Sequence, residues 1–280
     1  MREVDVGAIA DTVARLCVEA NRRLPPDVAA AMRRARAAEP WPPAAGVLGD
    51  MLRNAGAADE MALPICQDTG MACVYVDVGQ EVHLVGGALE AAVNDGVRRG
   101  YTGGYLRKSV VADPLRRTNT GDNTPAALTV RLVPGDAVDV TVMPKGFGSE
   151  NMSRLAMLTP ADGQAGVEDF VLETVRLAGG NPCPPVVVGV GVGGSFDKVA
   201  ALAKRALLRP LDVPHQDPFY AGMEVALLAN INALGTGPAG TGGQTTALAV
   251  LVEAAPTHIA GLPVAVCISC HVTRRAGAVL

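Results

Sequence analysis

Apolar side chains recur every three to four residues over the first part of the chain, which is the spacing of amphipathic helices. The spacing predicts helices over residues 6–24, 26–37 and 44–61, and Pro26 suits the first turn of the second helix. A helical N-terminal segment is therefore expected over about residues 1–62.

Beyond this segment, short runs rich in β-branched residues alternate with further stretches of helical spacing. The run PPVVVGVGV at 184–192 is apolar throughout, as in a strand that is buried on both faces. These runs predict an α/β fold of mixed α and β elements, with mixed β-sheets flanked by helices after the helical segment. Strands are predicted at residues 71–78, 126–133, 137–144, 184–192, 245–253 and 262–269, and helices at 87–99, 164–178, 196–208 and 218–233.

The composition is that of a globular protein, since 280 residues with 49% hydrophobic content provide a substantial core. No linker, repeat or low-complexity tract interrupts the sequence, so residues 1–280 are predicted to form a single domain. With 24 basic and 28 acidic residues, the chain lacks the charge that would attract nucleic acid or an anionic membrane. Neither a signal peptide nor an apolar window of about 20 residues is present, so a cytoplasmic protein is expected.

The six cysteines are expected to be thiols or metal ligands, because disulfides are rare in a reducing cytoplasm. Cys17 falls in an amphipathic helix and Cys73 in a strand, where a thiol is ordinarily a small core residue. Cys267 and Cys270 form a C-x-x-C pair at the end of a predicted strand. Residues three apart on a strand point to opposite faces, so at most one of this pair is expected to be a ligand.

Cys66, Cys183 and Cys270 are predicted to be accessible, on polar loops or at a strand end. They are too far apart for a ferredoxin-type run, but the spacing suits a cluster gathered from separate loops. A four-iron cluster held by three thiolates leaves one iron open to act as a Lewis acid. The spacing alone is equally compatible with three unrelated structural thiols.

Several polar, glycine-rich segments stand out from about residue 40 onward. They are PICQDTG, RKSVVADPLRRTNTGDNTPAAL, PKGFGSEN, GVGGSFDKVAALAKRALLRPL, GTGPAGTGGQTTALAV and LPVAVCISCHVTRRA. In order and spacing, these segments resemble the α region of the class I fumarase and L-tartrate dehydratase family. The resemblance implies a hydro-lyase that reversibly hydrates or dehydrates a small dicarboxylate, either fumarate/malate or L-tartrate/oxaloacetate.

The resemblance also implies roles for individual residues. Cys66, Cys183 and Cys270 match the family cysteines that bind a [4Fe–4S] cluster, and Asp68 and His258 are its candidates for proton transfer. Arginine can clamp a carboxylate through two hydrogen bonds, but an Arg near a strand end more often forms a surface ion pair. An Asp before Thr-Gly is also an ordinary turn residue, and most isolated His residues are partly exposed side chains. The substrate-binding positions of the family correspond to Gln67, Asp68, Arg107, Gly146, Ser149 and Asn151.

A partner chain is implied as well. Fused members of the family continue into a β domain that supplies further carboxylate-binding residues and a catalytic proton acceptor. The present chain resembles a separate α subunit, so we expect a β subunit to complete its site, in an α2β2 assembly.

Two other functions are compatible with parts of the sequence. GVGVGG at 189–194 satisfies the G-x-G-x-x-G pattern of an NAD-dependent dehydrogenase, but only Asp212 approximates the acidic residue expected about twenty positions later. We interpret these glycines as a site of close backbone packing, with Ser195 capping the next helix. The alternative function that is not enzymatic is an iron–sulfur sensor, which would use the cluster to change its shape or its partner.

Overall fold

A computed structural model describes residues 2–280, and it has the predicted mixed α/β architecture. The helices are α1 (Val6–Arg22), α2 (Pro26–Ala38), α3 (Pro42–Glu60), α4 (Leu89–Gly103), α5 (Phe147–Glu150), α6 (Gly163–Ala178), α7 (Phe196–Ala206) and α8 (Pro218–Ala233), with a 3-10 turn at Pro238–Gly240. The strands are β1 (Arg2–Asp5), β2 (Met71–Gly79), β3 (Val82–Val85), β4 (Ala127–Val133), β5 (Val138–Lys145), β6 (Arg154–Leu158), β7 (Val186–Gly193), β8 (Ala247–Ala255), β9 (Leu262–Ser269) and β10 (Ala276–Val279).

The chain divides into two compact units, each assembled from separate segments. Unit 1 contains the residues up to 25 together with 55–147 and 274–280, whereas unit 2 contains residues 26–54 and 148–273. Each unit has its own cluster of buried, mostly aliphatic side chains. The residues of each unit that are close in space therefore come from distant parts of the sequence.

Unit 1 is built on a four-stranded sheet with the order β10-β5-β2-β4. β2 is parallel to β4 and antiparallel to β5, and its central valines are fully buried. α1 and α4 pack against each other closely because Gly96 has no side chain. A Cβ atom at Gly96 would lie 2.5 Å from the carbonyl oxygen of Ala10. β2 begins directly after residues 64–70, so the sheet fixes one end of that loop.

Unit 2 has the sheet order β6-β9-β7-β8, and β7 is buried along its whole length, as its continuous apolar run predicted. α7 packs directly on β7, because a Cβ atom at Gly189 or Gly191 would lie 2.2 or 2.3 Å from carbonyl oxygens of α7. The packing interpretation of these glycines is confirmed. Ser195 occupies the N-cap position of α7, but its hydroxyl donates to Asp197 and accepts no backbone N–H, so the expected cap bond is absent.

The long helices and strands lie within a few residues of their predicted positions. Four short strands, β1, β3, β6 and β10, have no counterpart in the sequence prediction. Each has only four or five residues, too few for a two-residue period to be recognised. Within residues 2–280, none of the helices combines the length and apolar character needed to span a bilayer.

Candidate active site

The loop at residues 64–70, which carries Cys66, is held in one conformation by buried groups of unit 1. The Tyr101 hydroxyl lies 2.8 Å from the carbonyl oxygen of Thr69 and 3.0 Å from that of Gly70. Gly70 has a φ of +72°, and a Cβ atom there would lie 2.6 Å from the backbone of Lys145. Only glycine fits this position, so the loop is fixed against β5. Cys66 itself is half-buried.

Asp68 connects this loop to the chain segment that follows β5. Its Oδ1 accepts a hydrogen bond from the Gly70 amide at 3.0 Å, and its Oδ2 accepts one from the Phe147 amide at 3.0 Å. A Cβ atom at Gly146 would lie 3.0 Å from Oδ2, so glycine leaves room for the carboxylate. The structure therefore brings Asp68 and Gly146 together. Both carboxylate oxygens already accept backbone hydrogen bonds, which holds the group in a defined orientation.

Arg107 lies beside the same loop, because its carbonyl oxygen accepts a hydrogen bond from the Thr69 hydroxyl at 3.0 Å. Its side chain is exposed, as is that of Gln67. The following turn is organised by Asn123, which is fully buried and accepts hydrogen bonds from the amides of Ser109 and Val110 at 2.7 and 3.2 Å. Unit 1 thus gathers five of the predicted residues. They are Cys66, Gln67, Asp68, Arg107 and Gly146.

Cys183 and Cys270 lie at one end of the unit 2 sheet, just before β7 and just after the antiparallel β9. The His271 amide donates to the Cys183 carbonyl oxygen at 3.2 Å, and Nδ1 of His271 lies 3.0 Å from the same oxygen. Cys183 is exposed and has a φ of +54°, in a turn closed by its own amide and the Gly180 carbonyl. A backbone hydrogen bond therefore joins Cys183 to the residue that follows Cys270, although the two cysteines are far apart in sequence.

The remaining cysteines are buried. Cys17 is inaccessible, and burial raises the pKa of its thiol to about 12. Cys73 and Cys267 are also core residues. The core positions predicted for Cys17 and Cys73 are confirmed. All six cysteines lie outside disulfides.

The thiols of the accessible cysteines are chemically suited to bind an iron–sulfur cluster. The three cysteines that are accessible in the structure are the three that the family resemblance selects, and thiolates are the usual ligands of such clusters. In residues 2–280, no group of three or more His, Cys, Asp or Glu side chains is gathered closely enough to hold a single metal ion.

Arg274 lies next to the Cys66 loop, where its Nη2 donates a hydrogen bond to the Asp68 carbonyl oxygen. The Nε and Nη1 atoms of Arg274 are buried without a hydrogen-bond partner.

His258 lies away from Cys183 and Cys270. It follows β8 and precedes β9, whereas Cys270 follows β9. An eight-residue strand at about 3.3 Å per residue separates these two ends by roughly 26 Å. His258 is exposed and borders a cavity of about 350 Å³ that also involves Tyr220 and Met223. Within unit 2, the structure does not bring the predicted histidine to the two cysteines.

Ser149 and Asn151 belong to a turn that contacts β9 through Glu150. Ser149 is buried and Asn151 is exposed. Between them, Glu150 forms an ion pair with Lys204, and the Cys267 thiol lies 3.7 Å from its other carboxylate oxygen. Neither Glu150 nor Lys204 was predicted from the sequence, because the two residues are 54 positions apart and no local pattern links them.

The glycine-rich loop at 235–246 supports the Cys183 turn, since the Ala239 amide donates to the Pro184 carbonyl oxygen at 2.7 Å. This loop is in turn held by Glu39, a buried carboxylate that accepts hydrogen bonds from the amides of Gln244 and Thr245. Sequence reasoning missed Glu39 as well. The contact spans about two hundred positions and carries no sequence signature.

The chain is similar to known proteins over nearly its whole length. The family described as fumarate hydratase (fumerase) matches residues 10–279. A Methanocaldococcus jannaschii protein with the provisional name L(+)-tartrate dehydratase subunit alpha is 41% identical over 278 residues, which is 96% of each chain. Proteins named L(+)-tartrate dehydratase subunit alpha from Escherichia coli strains UTI89 and K12 are 32% and 31% identical over 274 residues, or 96% of this chain and 90% of theirs.

The chain belongs to the fumarate hydratase (fumerase) family. It is a hydro-lyase of the fumarate hydratase and tartrate dehydratase type, which confirms the class of enzyme predicted from the sequence motifs.

Proposed function

We propose that this chain is the α subunit of a [4Fe–4S]-dependent hydro-lyase in which Cys66, Cys183 and Cys270 ligate the cluster. The observation that carries the proposal is that these cysteines are accessible, whereas the other three are buried in the cores. The substrate is a small 2-hydroxy dicarboxylate. The names of the relatives favour L-tartrate, and malate/fumarate is the second pair to be tested.

The candidate site residues would bind and orient the substrate. When bound, a four-iron cluster held by three thiolates offers a Lewis-acidic iron to a substrate hydroxyl. The exposed guanidinium of Arg107 would bind a substrate carboxylate bidentately. Two backbone hydrogen bonds orient the Asp68 carboxylate. To accept or relay a substrate proton, one carboxylate oxygen would have to give up its hydrogen bond to a backbone amide. Gln67, Gly146, Ser149 and Asn151 are the remaining candidates for substrate contact, and His258 is retained as a candidate for proton transfer.

A separate β subunit would supply the rest of the site, including the main base, in an α2β2 assembly. The relatives are named as alpha subunits, which supports a second kind of chain. The six thiols outside disulfides support a reducing compartment such as the cytoplasm.

The test is anaerobic reconstitution with iron and sulfide, followed by iron counting, absorption near 400 nm, and dehydration assays on L-tartrate and malate with and without a β chain. Substituting Cys66, Cys183 or Cys270 by serine should remove the cluster. Cys17→Ala and Cys73→Ala are the matched controls, because buried core thiols should affect stability but not iron content. Absence of any cluster in the wild-type chain under anaerobic conditions would refute the proposal.

A further inference from the structure

Arg274 is a buried cation beside the Cys66 loop. Its side chain and backbone together are only 3% exposed. Nη2 donates to the carbonyl oxygen of Asp68, two residues after Cys66. Nε and Nη1 are buried without a hydrogen-bond partner, and within residues 2–280 Arg274 takes part in no salt bridge. The position therefore holds a full positive charge with one hydrogen bond to a neutral carbonyl.

Such a charge needs a compensating anion. A guanidinium is a permanent cation in proteins, so its burial calls for an anion nearby. An ion that is buried without a partner is strongly destabilising. The nearby phenol is not the missing anion, because burial raises the pKa of Tyr101 and keeps it neutral. The Asp68 carboxylate is engaged by the amides of Gly70 and Phe147.

We propose that the anion is the iron–sulfur cluster, and that Arg274 is the positive charge that stabilises it while ordering the loop of Cys66. This inference rests on the proposed function. Three thiolates on a four-iron core leave a net negative charge, and Cys66 is the ligand closest in sequence to the carbonyl that Arg274 binds. A buried cation at this place should favour cluster assembly, and it should favour the reduced cluster over the oxidised one.

The experiment compares wild type with Arg274→Met, Arg274→Gln and Arg274→Lys, each measured as apoprotein and after anaerobic reconstitution. Arg34→Met is the matched control, because Arg34 is an exposed arginine on α2 in unit 2. The readouts are iron per chain, the rise in Tm on reconstitution, and the midpoint potential of the cluster. The Met and Gln variants should bind less iron, show a smaller rise in Tm, and have a more negative potential.

The Lys variant separates charge from structure. Lysine keeps the positive charge but loses the planar donor group, so its cluster potential should stay close to that of wild type. Arg34→Met should match wild type in every readout. If one variant fails to fold, the remaining neutral and charged variants still allow the comparison.

The inference is overturned if the neutral variants keep the wild-type potential, or if their Tm falls by the same amount with and without the cluster. The second result would make Arg274 a purely structural donor to Asp68. Failure of the proposed function has a different outcome, because the wild-type chain would then take up no cluster at all.

Discussion

Glu39 offers a direct test of how a distant carboxylate supports the Cys183 turn. Its two carboxylate oxygens accept hydrogen bonds from the Gln244 amide at 2.9 and 3.1 Å, and from the Thr245 amide and hydroxyl at 2.8 Å each. We predict that Glu39→Gln lowers the free energy of unfolding by about 3 kcal/mol, because each of the three donor groups loses about 1 kcal/mol when its acceptor becomes neutral.

The effect should depend on pH in a defined direction. Burial acts to raise the pKa of Glu39, but the hydrogen bonds from Gln244, Thr245 and Trp41 outweigh it, so the folded pKa lies below the ordinary value of 4.5. The ionised group therefore stabilises the protein fully above about pH 4.5, and this contribution is lost as the pH falls through the folded pKa. The difference between wild type and Glu39→Gln should shrink in that acidic range.

Urea unfolding of the wild-type and variant chains at a series of pH values measures both quantities. Glu60→Gln is the control, because Glu60 is an exposed glutamate at the end of α3 and its loss should change stability little. Glu39→Gln should also weaken iron retention, since the loop it holds supports the Cys183 turn. Equal stability of Glu39→Gln and wild type across this pH series would refute the reasoning.

Three further substitutions probe the site and its support. Gly191→Ala should destabilise unit 2 by more than about 2 kcal/mol in urea unfolding, because its Cβ atom would lie 2.3 Å from the Val199 carbonyl oxygen; a near-neutral result would contradict the packing argument. Asn123→Ala should cost about 3 kcal/mol in the same assay, since it removes three hydrogen bonds at a φ of +66° that asparagine tolerates better than alanine. Lys204→Met should raise KM several-fold with a smaller change in kcat, because it removes the ion pair that holds the turn carrying Ser149 and Asn151; an unchanged KM would contradict this role of the turn.

The local sequence determined most of the secondary structure. Apolar periodicity placed the long helices and strands, because burial of one helical face or of a whole strand leaves a regular pattern in the chain. Periodicity also predicted that Cys17 and Cys73 are core residues, and the structure shows that both are buried. The family-specific segments then predicted the class of enzyme, which the comparisons confirm.

Tertiary structure alone decided which distant residues meet. It made Cys183 and Cys270 neighbours through His271, tied Asp68 to Arg274 and Glu39 to the loop at 235–246, and placed His258 at the other end of the unit 2 sheet. Periodicity reports which face of an element is buried, whereas these contacts depend on sheet order and on hydrogen bonds between loops. Such bonds are individually weak and follow no spacing rule, so they emerge only when the whole chain is packed.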